Sequence, residues 1–434
     1  MDLALIGIIG IVILLLIIFF LGMPVGFAMA VVGFCGFWYV VSFHAAITMV
    51  STDIWTTFSK YGLTVIPLFI FMGEVAYYSG VNVKLYNTAY KWLGQVRGGL
   101  AMATIMACAG FAAICGSNAA TAATMTAVAL PEMKKYKYEP MLSTGAIACG
   151  STLGVVIPPS VVLIVIGIYT GQSIGKLFYG GIMAGVLLAV LFLVTVYFLC
   201  LVNKTWGPTG PKTTLRDKIS SLPGAVEIII LFLLIMLGLY FGFFTPTEAG
   251  AAGSFFALLI SIVQRNLSWK GFLASIVDTL RISCMVMVLV TGAVVFGRFL
   301  AVTRIPFDIA AWVSDLPVPG MFIMAIIFII YMIGGAVMDA LALLLITIPI
   351  FFPVAIQLGY DPIWFSVTIT VITTLGAVTP PVGATTYVVG GIAKDVPLSK
   401  VFRGVTYFLP AYIICIIILM VFPQLVTFLP NLVR

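Results

Sequence analysis

One seven-residue phrase occurs twice in this sequence, and both times it ends in two prolines inside an apolar stretch. Residues 153–159 read LGVVIPP and residues 375–381 read LGAVTPP, 222 positions later. The same shift relates Tyr-Glu-Pro at 138–140 to Tyr-Asp-Pro at 360–362. The chain therefore contains two copies of one unit, and each copy breaks an apolar segment with proline. Paired breaks of this kind are typical of proteins that move a solute across a membrane.

The composition indicates whether these copies fold in water or in a lipid bilayer. Of the 434 residues, 62% are hydrophobic and 8% are charged, whereas a soluble domain carries about 25% charged residues. We therefore predict an all-α polytopic membrane protein. The net charge of +7 is attributed to basic loops that orient the chain in the bilayer rather than to nucleic-acid binding. The sequence has no metal-ligand spacing among its seven cysteines, no nucleotide-binding loop and no catalytic triad, so we predict neither an enzyme nor an ATP-driven pump.

Apolar segments of sufficient length predict about ten transmembrane helices, two of them broken by proline, plus two doubled segments. Each doubled segment is too long for one span and has small or polar residues halfway along. The first copy covers 1–203, with its doubled segment at 98–133 and its broken helix at 140–171. A linker covers 204–222. The second copy covers 223–434, with its doubled segment at 320–356 and its broken helix at 361–393. The other spans lie near 3–22, 24–43, 62–80, 177–203, 224–244, 246–264, 283–302 and 401–422.

Each copy crosses the membrane an odd number of times, whether its doubled segment forms two full spans or a hairpin that enters and returns. The second copy is therefore predicted to be inverted relative to the first. With this topology, 16 of the 21 Lys and Arg residues, including Lys212, fall on the side of the linker, and five fall on the other side: Lys60, Lys176, Arg298, Arg304 and Arg434. Because basic residues accumulate in cytoplasmic loops, we predict a cytoplasmic linker and both termini on the outer side.

The doubled segments are predicted to be re-entrant hairpins. No charged residue lies within 99–130, and the turn at 116–118 (Gly-Ser-Asn) has no lysine, tryptophan or tyrosine to anchor it at a membrane surface. Irregular backbone inside a membrane is tolerated where protein or a wet cavity surrounds it. Asp339 in the second tip favours the hairpin, since an intramembrane carboxylate is costly unless it is paired or functional. Two full spans are the alternative for each segment, and a helix cap is the alternative role for Asp339.

The double prolines remove backbone donors and interrupt the helices that contain them. Carbonyl groups around 154–157 and 376–379 therefore lose helical partners and become available to a cation. The half-helices that start near Ser160 and Gly383 point their N–H groups toward the breaks, where they would attract an anion. The Ser and Thr residues that flank both breaks are candidate ligands; the alternative is that they bond back to their own helices.

Several motifs occur in the order found in one known family. They are GSN at 116–118, GSTLGVVIPPS at 150–160, TPTEA at 245–249 and GAVTPPVG at 376–383. Together they resemble the large membrane subunit of tripartite ATP-independent periplasmic (TRAP) transporters, and the likeness covers essentially the whole chain. The resemblance implies an elevator-type, sodium-driven uptake system for organic acids such as C4-dicarboxylates or sialic acid in a bacterial inner membrane, with both termini periplasmic.

The resemblance also implies partners and site residues. The partners are a small four-helix membrane subunit and a soluble periplasmic substrate-binding protein, neither of which is expected to be fused to this chain. No cofactor is implied apart from sodium as the coupling ion. The implied sodium ligands are Ser117, Asn118, Gly154 and Ile157 for one ion, and Asp339, Gly376 and Thr379 for another. The implied substrate contacts are Pro158, Ser160, Pro380, Thr385 and Thr386. The first tip departs from the Ser-Gly-Ser form that is commoner in the family.

Two other functions stay open at this point. A stand-alone sodium symporter for divalent anions would use the same breaks without partners, and an anion channel would also use helix N-termini. Substrate selection is expected to depend more on the second copy, because Thr379, Thr385 and Thr386 flank its break whereas Ile157 and Ser160 flank the first.

Overall fold

The structure is a computed structural model that describes residues 3–210, 213–314 and 317–432. Within these ranges the chain forms 23 α-helices and no β-strand. Ten helical segments of the described chain are long and apolar enough to cross a membrane. The predicted all-α polytopic fold with about ten transmembrane helices is therefore confirmed. Lys212 and Arg434, which entered the charge count, lie outside the described residues.

The helices follow one another with short connections. In the first half they are α1 (Leu3–Leu21), α2 (Val25–Val40), α3 (Phe43–Phe58), a 3-10 turn (Tyr61–Thr64), α4 (Val65–Tyr78), α5 (Val81–Leu93), α6 (Gly99–Cys115), α7 (Asn118–Lys135), α8 (Pro140–Ser151), α9 (Leu153–Val156), α10 (Val161–Thr170) and α11 (Ile174–Val202). The short helix α12 (Leu215–Ser221) lies within the predicted linker.

The second half begins with α13 (Pro223–Tyr240), which has a proline in its first turn, where the missing N–H costs no helical hydrogen bond. It continues with α14 (Pro246–Val263), α15 (Trp269–Val302), α16 (Ile305–Ser314), α17 (Gly320–Val337), α18 (Ala340–Gln357), α19 (Pro362–Gly376), α20 (Ala384–Ile392), α21 (Leu398–Thr406), α22 (Leu409–Val421) and α23 (Gln424–Leu432). The helix α15 has 34 residues and extends well before the span that the sequence predicts at 283–302.

Helices α1–α4 and α13–α16 pack together, and we call this assembly the framework. Its centre is a close crossing of α2 and α15, where glycines bring the backbones into contact. A Cβ atom at Gly292 would lie 2.1 Å from the carbonyl oxygen of Gly26, and one at Gly33 would lie 2.8 Å from the Cα of Phe296. Such a crossing tolerates no side chain, and small residues at helix crossings are a common way for membrane helices to associate.

Helices α6–α11 and α17–α23 form a second assembly, which we call the inner group. It contains both hairpins and both broken helices. Helix α8 crosses α21 closely, since a Cβ atom at Gly145 would lie 2.6 Å from the carbonyl oxygen of Gly404. The indole of Trp364, which is 1% exposed, donates a hydrogen bond to the carbonyl of Leu419 over 2.7 Å. The inner group contacts the framework mainly through α6, α10 and α18.

The linker is held against the base of the first hairpin by main-chain hydrogen bonds. The N–H of Gly98 donates to the carbonyl of Gly207 over 2.9 Å, and the N–H of Gly210 donates to the carbonyl of Gly94 over 2.8 Å. Its helix α12 starts with a reciprocal cap in which Thr214 and Asp217 bond each other's main chain. Hydrogen bonds from the hydroxyl and the main-chain N–H of Thr214 lower the pKa of the Asp217 carboxyl below its ordinary value. The linker is therefore ordered along much of its length.

Candidate functional site

The tip of the first hairpin is the turn between α6 and α7. Gly116 has φ +61°, a conformation that favours glycine. A Cβ atom at this position would also lie 2.6 Å from the carbonyl oxygen of Pro159. Ser117 caps α7, because its hydroxyl accepts a hydrogen bond from the N–H of Ala120 over 3.4 Å. The first tip therefore lies directly against the first double proline.

The first break is enclosed by protein. Every residue from 151 to 160 is buried. The hydroxyl of Ser160 donates a hydrogen bond across the break to the carbonyl of Val155 and caps α10 by accepting from the N–H of Leu163. Ser160, which is predicted to contact the substrate, is 0% exposed. In this conformation its hydroxyl is occupied by main-chain partners.

The other residues predicted around the first break lie on two sides of it. Gly154 faces the tip, since a Cβ atom there would lie 2.9 Å from the carbonyl oxygen of Ser117. Ile157 and Pro158 pack instead on α11: a Cβ atom at Gly185 would lie 2.4 Å from the side chain of Ile157, and one at Gly181 would lie 3.5 Å from the ring of Pro158. Ser117 and Gly154 are thus brought together, whereas the side chains of Ile157 and Pro158 serve packing.

One atom of the first tip stands out because it has no partner. The side-chain oxygen Oδ1 of Asn118 is buried and accepts no hydrogen bond among the described residues. Leaving a buried polar atom unpaired costs roughly 1–3 kcal/mol. Amide and carbonyl oxygens are the ligands that hard cations prefer. An ion next to Asn118, within reach of the main chain at the tip, would satisfy this atom, and the residues present therefore fit a sodium ion.

The second tip differs in which residue makes contact with its break. Asp339 caps α18, and its carboxylate Oδ2 accepts a hydrogen bond from the N–H of Leu341 over 3.0 Å. The residue that touches the break lies four positions earlier: a Cβ atom at Gly335 would lie 3.0 Å from the carbonyl oxygen of Thr373. A Cβ atom at Gly376 would in turn lie 2.5 Å from the Cα of Gly335. Gly376 therefore meets the hairpin through its backbone, while the Asp339 side chain is exposed.

Main-chain hydrogen bonds attach the second break to its hairpin. The carbonyl of Ala336, near the end of α17, accepts from the N–H of Val382 over 3.0 Å and from the N–H of Gly383 over 3.2 Å. These two donors follow the double proline and precede α20. The second hairpin and the second broken helix are thus connected directly through their backbones.

Three threonines at the second break lie close to main-chain carbonyls, and two of them bond to these through their hydroxyls. The hydroxyl of Thr379 donates to Gly376 over 3.0 Å, and that of Thr386 donates across the break to Val378 over 2.9 Å. Thr386 corresponds in this respect to Ser160 of the first break. Thr385 and Thr386 are 3% and 0% exposed, whereas Thr379 is partly exposed. Thr379 therefore bonds back to the end of α19, as in the alternative that the sequence left open, whereas the Thr386 hydroxyl bonds across the break and not within its own helix.

The two half-sites differ in access. Pro380, Pro381 and Val382 are exposed, as is Asp339, whereas the corresponding residues of the first break are buried. An anion that reaches the double prolines from outside the inner group would meet the second break.

Each half-site also includes helices from both copies. Helix α20, which follows the second break, packs on α7 of the first hairpin, and α10, which follows the first break, packs on α18 of the second hairpin. An ion pair between Lys134 and Asp395 joins the end of α7 to the loop after α20, and the Lys134 ammonium lowers the pKa of the Asp395 carboxyl. The hydroxyl groups of Thr152 and Tyr412 lie 2.5 Å apart and connect α8 with α22. The site is therefore a joint product of the two halves.

Comparison with known proteins is decisive at this point. The family model described as "Tripartite ATP-independent periplasmic transporter, DctM component" matches residues 11–425. The chain belongs to the DctM family. The resemblance drawn from the motifs around the two breaks is confirmed, and this DctM-family chain is a large permease component of a TRAP transporter.

Curated relatives extend over nearly the whole DctM-family chain. It is 32% identical over 387 residues to the C4-dicarboxylate TRAP transporter large permease protein DctM of Pseudomonas aeruginosa, an alignment that covers 89% of this chain and 90% of that protein. It is 30% identical over 417 residues to the sialic acid TRAP transporter large permease protein SiaM of Vibrio cholerae, with 95% and 96% covered. Among solved structures, the YdaH transporter of Alcanivorax borkumensis shares the fold at a TM-score of 0.62 and 14% identity, with 88% of this chain and 89% of that chain covered.

The structure of this DctM-family chain also pairs charges that the sequence did not bring together. In the fold, Nε and Nη2 of Arg298 each donate to one carboxylate oxygen of Asp53 over 3.2 Å, and the Asp53 side chain is 4% exposed. Glu227 pairs with Lys84 over 3.3 Å. The sequence offers one sign of this pair, because Asp53 and Arg298 both lie beside apolar segments, where an unpaired charge is costly.

Glu248 is the charge whose role its local sequence does reveal. Its carboxylate accepts from the N–H and the hydroxyl of Thr245, and the Thr245 hydroxyl accepts from the N–H of Glu248, which closes a capping box at the start of α14. The pattern Thr-x-x-Glu is the ordinary signature of such a box. Glu248 therefore serves the start of its own helix and takes no part in either half-site.

Proposed function

We propose that this DctM-family chain is the membrane transport subunit of a sodium-coupled secondary uptake system for small organic anions. The relatives described above are named for C4-dicarboxylates and sialic acid, and both are carboxylates. The sodium part of the proposal rests on the side-chain oxygen of Asn118, which is buried without a hydrogen-bond partner among the described residues, at a tip that lies against a double-proline break. In this proposal the oxygen is a ligand of the transported cation, which is the partner that it lacks.

In this proposal each half-site holds one sodium ion. The first ion is held by Asn118 together with main-chain oxygens of Ser117, Gly154 and Ile157. The second ion is held near Gly376 and Thr379, with Asp339 supplying negative charge from the adjacent tip. Neutral oxygens with at most one carboxylate suit a monovalent ion that must bind and then leave.

The anion is proposed to bind at the open second break, close to Thr379 and Pro380. Helix α20 begins there, and the partial positive charge of a helix N-terminus favours an anion. Thr385 and Thr386 lie in the first turn of α20 and support this end of the helix. Pro158 and Ser160 are buried, and in this proposal they contribute indirectly by holding the backbone of the first break in place.

The transport step is proposed to be of the elevator type. The inner group carries both half-sites and moves as a body against the framework. Close backbone contacts within each assembly, such as Gly145 on Gly404 or Gly26 on Gly292, favour two internally rigid bodies. The two copies act as inverted repeats, with both termini on the periplasmic side of a bacterial inner membrane and the linker in the cytoplasm. A small four-helix membrane subunit and a periplasmic substrate-binding protein complete the system.

Uptake into proteoliposomes tests the function. The chain is reconstituted with its small membrane subunit, and the binding protein is supplied outside with radiolabelled succinate or sialic acid. We expect accumulation above the external concentration when sodium is high outside, and loss of accumulation when potassium replaces sodium. Equal accumulation in both salts would refute sodium coupling, and flux far above carrier rates would indicate a channel.

Asp339→Asn tests the charge at the second tip. Asn caps a helix about as well as Asp, so the change keeps α18 capped and removes only the negative charge. We expect the apparent sodium affinity for uptake to fall by about tenfold, which corresponds to about 1.4 kcal/mol. The matched control is Asp361→Asn, because Asp361 caps α19 in the same way through the N–H groups of Ile363 and Trp364. Equal, small effects of the two variants would leave Asp339 with a capping role alone.

A further inference from the structure

A cavity of about 390 Å³ lies between the framework and the inner group, away from the paired tips. Its walls come from α3, α15 and α16 on the framework side and from α10 and α18 on the inner side. This volume is within the range of about 300–1,000 Å³ that is typical of small-molecule sites.

The charged groups that line the cavity are cationic. The Lys60 ammonium has no carboxylate or hydrogen-bond partner among the described residues. Arg298 also lines the cavity, and its side chain is 60% exposed although it pairs with Asp53. The carboxylate of Asp53 is 4% exposed and does not line this cavity. Of the two cations, Lys60 is therefore the one whose charge no carboxylate of the described residues neutralises, while Arg298 turns the exposed part of an ion-paired guanidinium toward the cavity.

Two uncharged polar side chains, Thr57 and Tyr169, also belong to the lining. Thr57 lines the cavity and is 4% exposed. The hydroxyl of Tyr169 rests on α15, where it donates to the carbonyl of Ala293 over 3.4 Å and occupies the space above Gly297, 2.6 Å from where a Cβ atom would lie. The other lining residues are mainly apolar and include Pro349 and Pro353. Apolar walls with a few convergent donors are suited to a small organic anion.

The position of the cavity separates it from the paired tips. Tyr169 lies eight residues after the start of α10 and Pro349 lies ten residues after Asp339, which places them about 12–15 Å along their helices at about 1.5 Å per residue. By the charge distribution of the loops, Lys60 and Arg298 belong to the outer side. The cavity thus lies toward the outer ends of α10, which begins at the first break, and of α18, which begins at the second tip.

We propose that this cavity is a second anion-binding site, in which Lys60 and Arg298 hold a small organic carboxylate before it reaches the tips. The proposal rests on the proposed function for the class of anion. In this role the site captures the anion from the outer side, and the anion binds there without sodium. Because Lys60 is exposed and has no carboxylate partner among the described residues, its charge acts on the anion and not on the fold.

Binding measured without sodium tests the site directly. The purified complete chain in neutral detergent and sodium-free buffer of low ionic strength is titrated with succinate and, separately, with sialic acid, and binding heat and thermal stabilisation are recorded. We expect Lys60→Gln to weaken binding of the bound probe by about tenfold, as loss of one partly desolvated charge partner does, and Lys60→Arg to restore it. Higher salt should also weaken binding to the wild type.

Lys176→Gln is the matched control, since Lys176 belongs to the same outer set of basic residues, has no carboxylate partner among the described residues and lies outside this cavity. Failure of the wild type to bind either probe without sodium would overturn the proposal, as would equal effects of Lys60→Gln and Lys176→Gln. Sodium-driven uptake is measured separately, so that loss of the proposed function and loss of this site are distinguished.

An anionic lipid headgroup could occupy the same cavity, so a separate experiment distinguishes it from a free carboxylate. The titrations are repeated in nanodiscs of neutral lipid and of lipid containing phosphatidylglycerol. Unchanged succinate affinity in the two lipids supports the capture site. If phosphatidylglycerol blocks succinate binding to the wild type, the headgroup is the occupant and the role in anion capture is refuted.

Discussion

Asn118→Ala is expected to cause a larger loss of sodium-dependent uptake than Asp339→Asn. The side-chain oxygen of Asn118 is buried without a partner among the described residues, and in the proposed function it is a direct ligand of the first sodium ion. Disturbing even the surroundings of a metal ligand lowers metal affinity by about 10–100-fold, so loss of a ligand should have at least this effect. The measurement is the sodium concentration that gives half-maximal uptake in proteoliposomes.

The fold provides a control on the same helix. Thr124 lies six residues further along α7, and its hydroxyl is also buried without a partner in the described part of the chain. Thr124→Val removes that hydroxyl at nearly constant shape, and replacing an unpaired buried hydroxyl in this way is close to neutral or stabilising. We expect normal sodium dependence for this variant. If Asn118→Ala behaves like Thr124→Val, the first tip is not a sodium site.

Gly116→Ala is expected to have the second large effect, through the geometry of the first tip. The left-handed conformation of Gly116 costs a residue with a Cβ atom roughly 1–2 kcal/mol. The added atom would also lie 2.6 Å from the carbonyl oxygen of Pro159, and overpacking of this kind costs about 1–3 kcal/mol more. We expect uptake to be lost, because the tip must move away from the break, together with a lower thermal unfolding temperature.

Gly80→Ala separates the two causes. Gly80 has φ +73°, and a Cβ atom there would meet nothing within 4 Å. This variant therefore carries the conformational cost without the clash, and we expect a small fall in unfolding temperature with uptake retained. If both variants lose uptake equally, the contact between the first tip and Pro159 has no special role.

Much of the fold could be predicted from the sequence because its signals are local or repeated. Long apolar segments predict helices that cross a membrane, and the prolines and glycines near 116 and 158 mark where helices must stop. Apart from the start of α15, the ends of the spanning helices agree with the predicted bounds to within a few residues, for example α14 at 246–263 against 246–264. The linker was less predictable, since its order comes from hydrogen bonds to residues about a hundred positions away.

The candidate site was predictable in its backbone and less so in its side chains. Gly154 and Ser117 meet as the motifs imply, but the hydroxyls of Ser160 and Thr386 bond across their own breaks. A sequence does not show whether a hydroxyl faces a ligand or a nearby carbonyl, because both satisfy it equally well. For the same reason the contact of Gly335, rather than Asp339, with the second break could not be read from the spacing.

The sequence by itself determined that the chain is a helical membrane protein in which a seven-residue phrase ending in a proline break occurs twice, 222 positions apart. Hydropathy and backbone sterics act on neighbouring residues, and they need no tertiary contact to be effective. Only the tertiary structure decided which break is buried and which is exposed, that Arg298 pairs with Asp53, and that Lys60 faces a cavity without a partner among the described residues. These features depend on which helices pack against one another, and that choice is made by the chain as a whole.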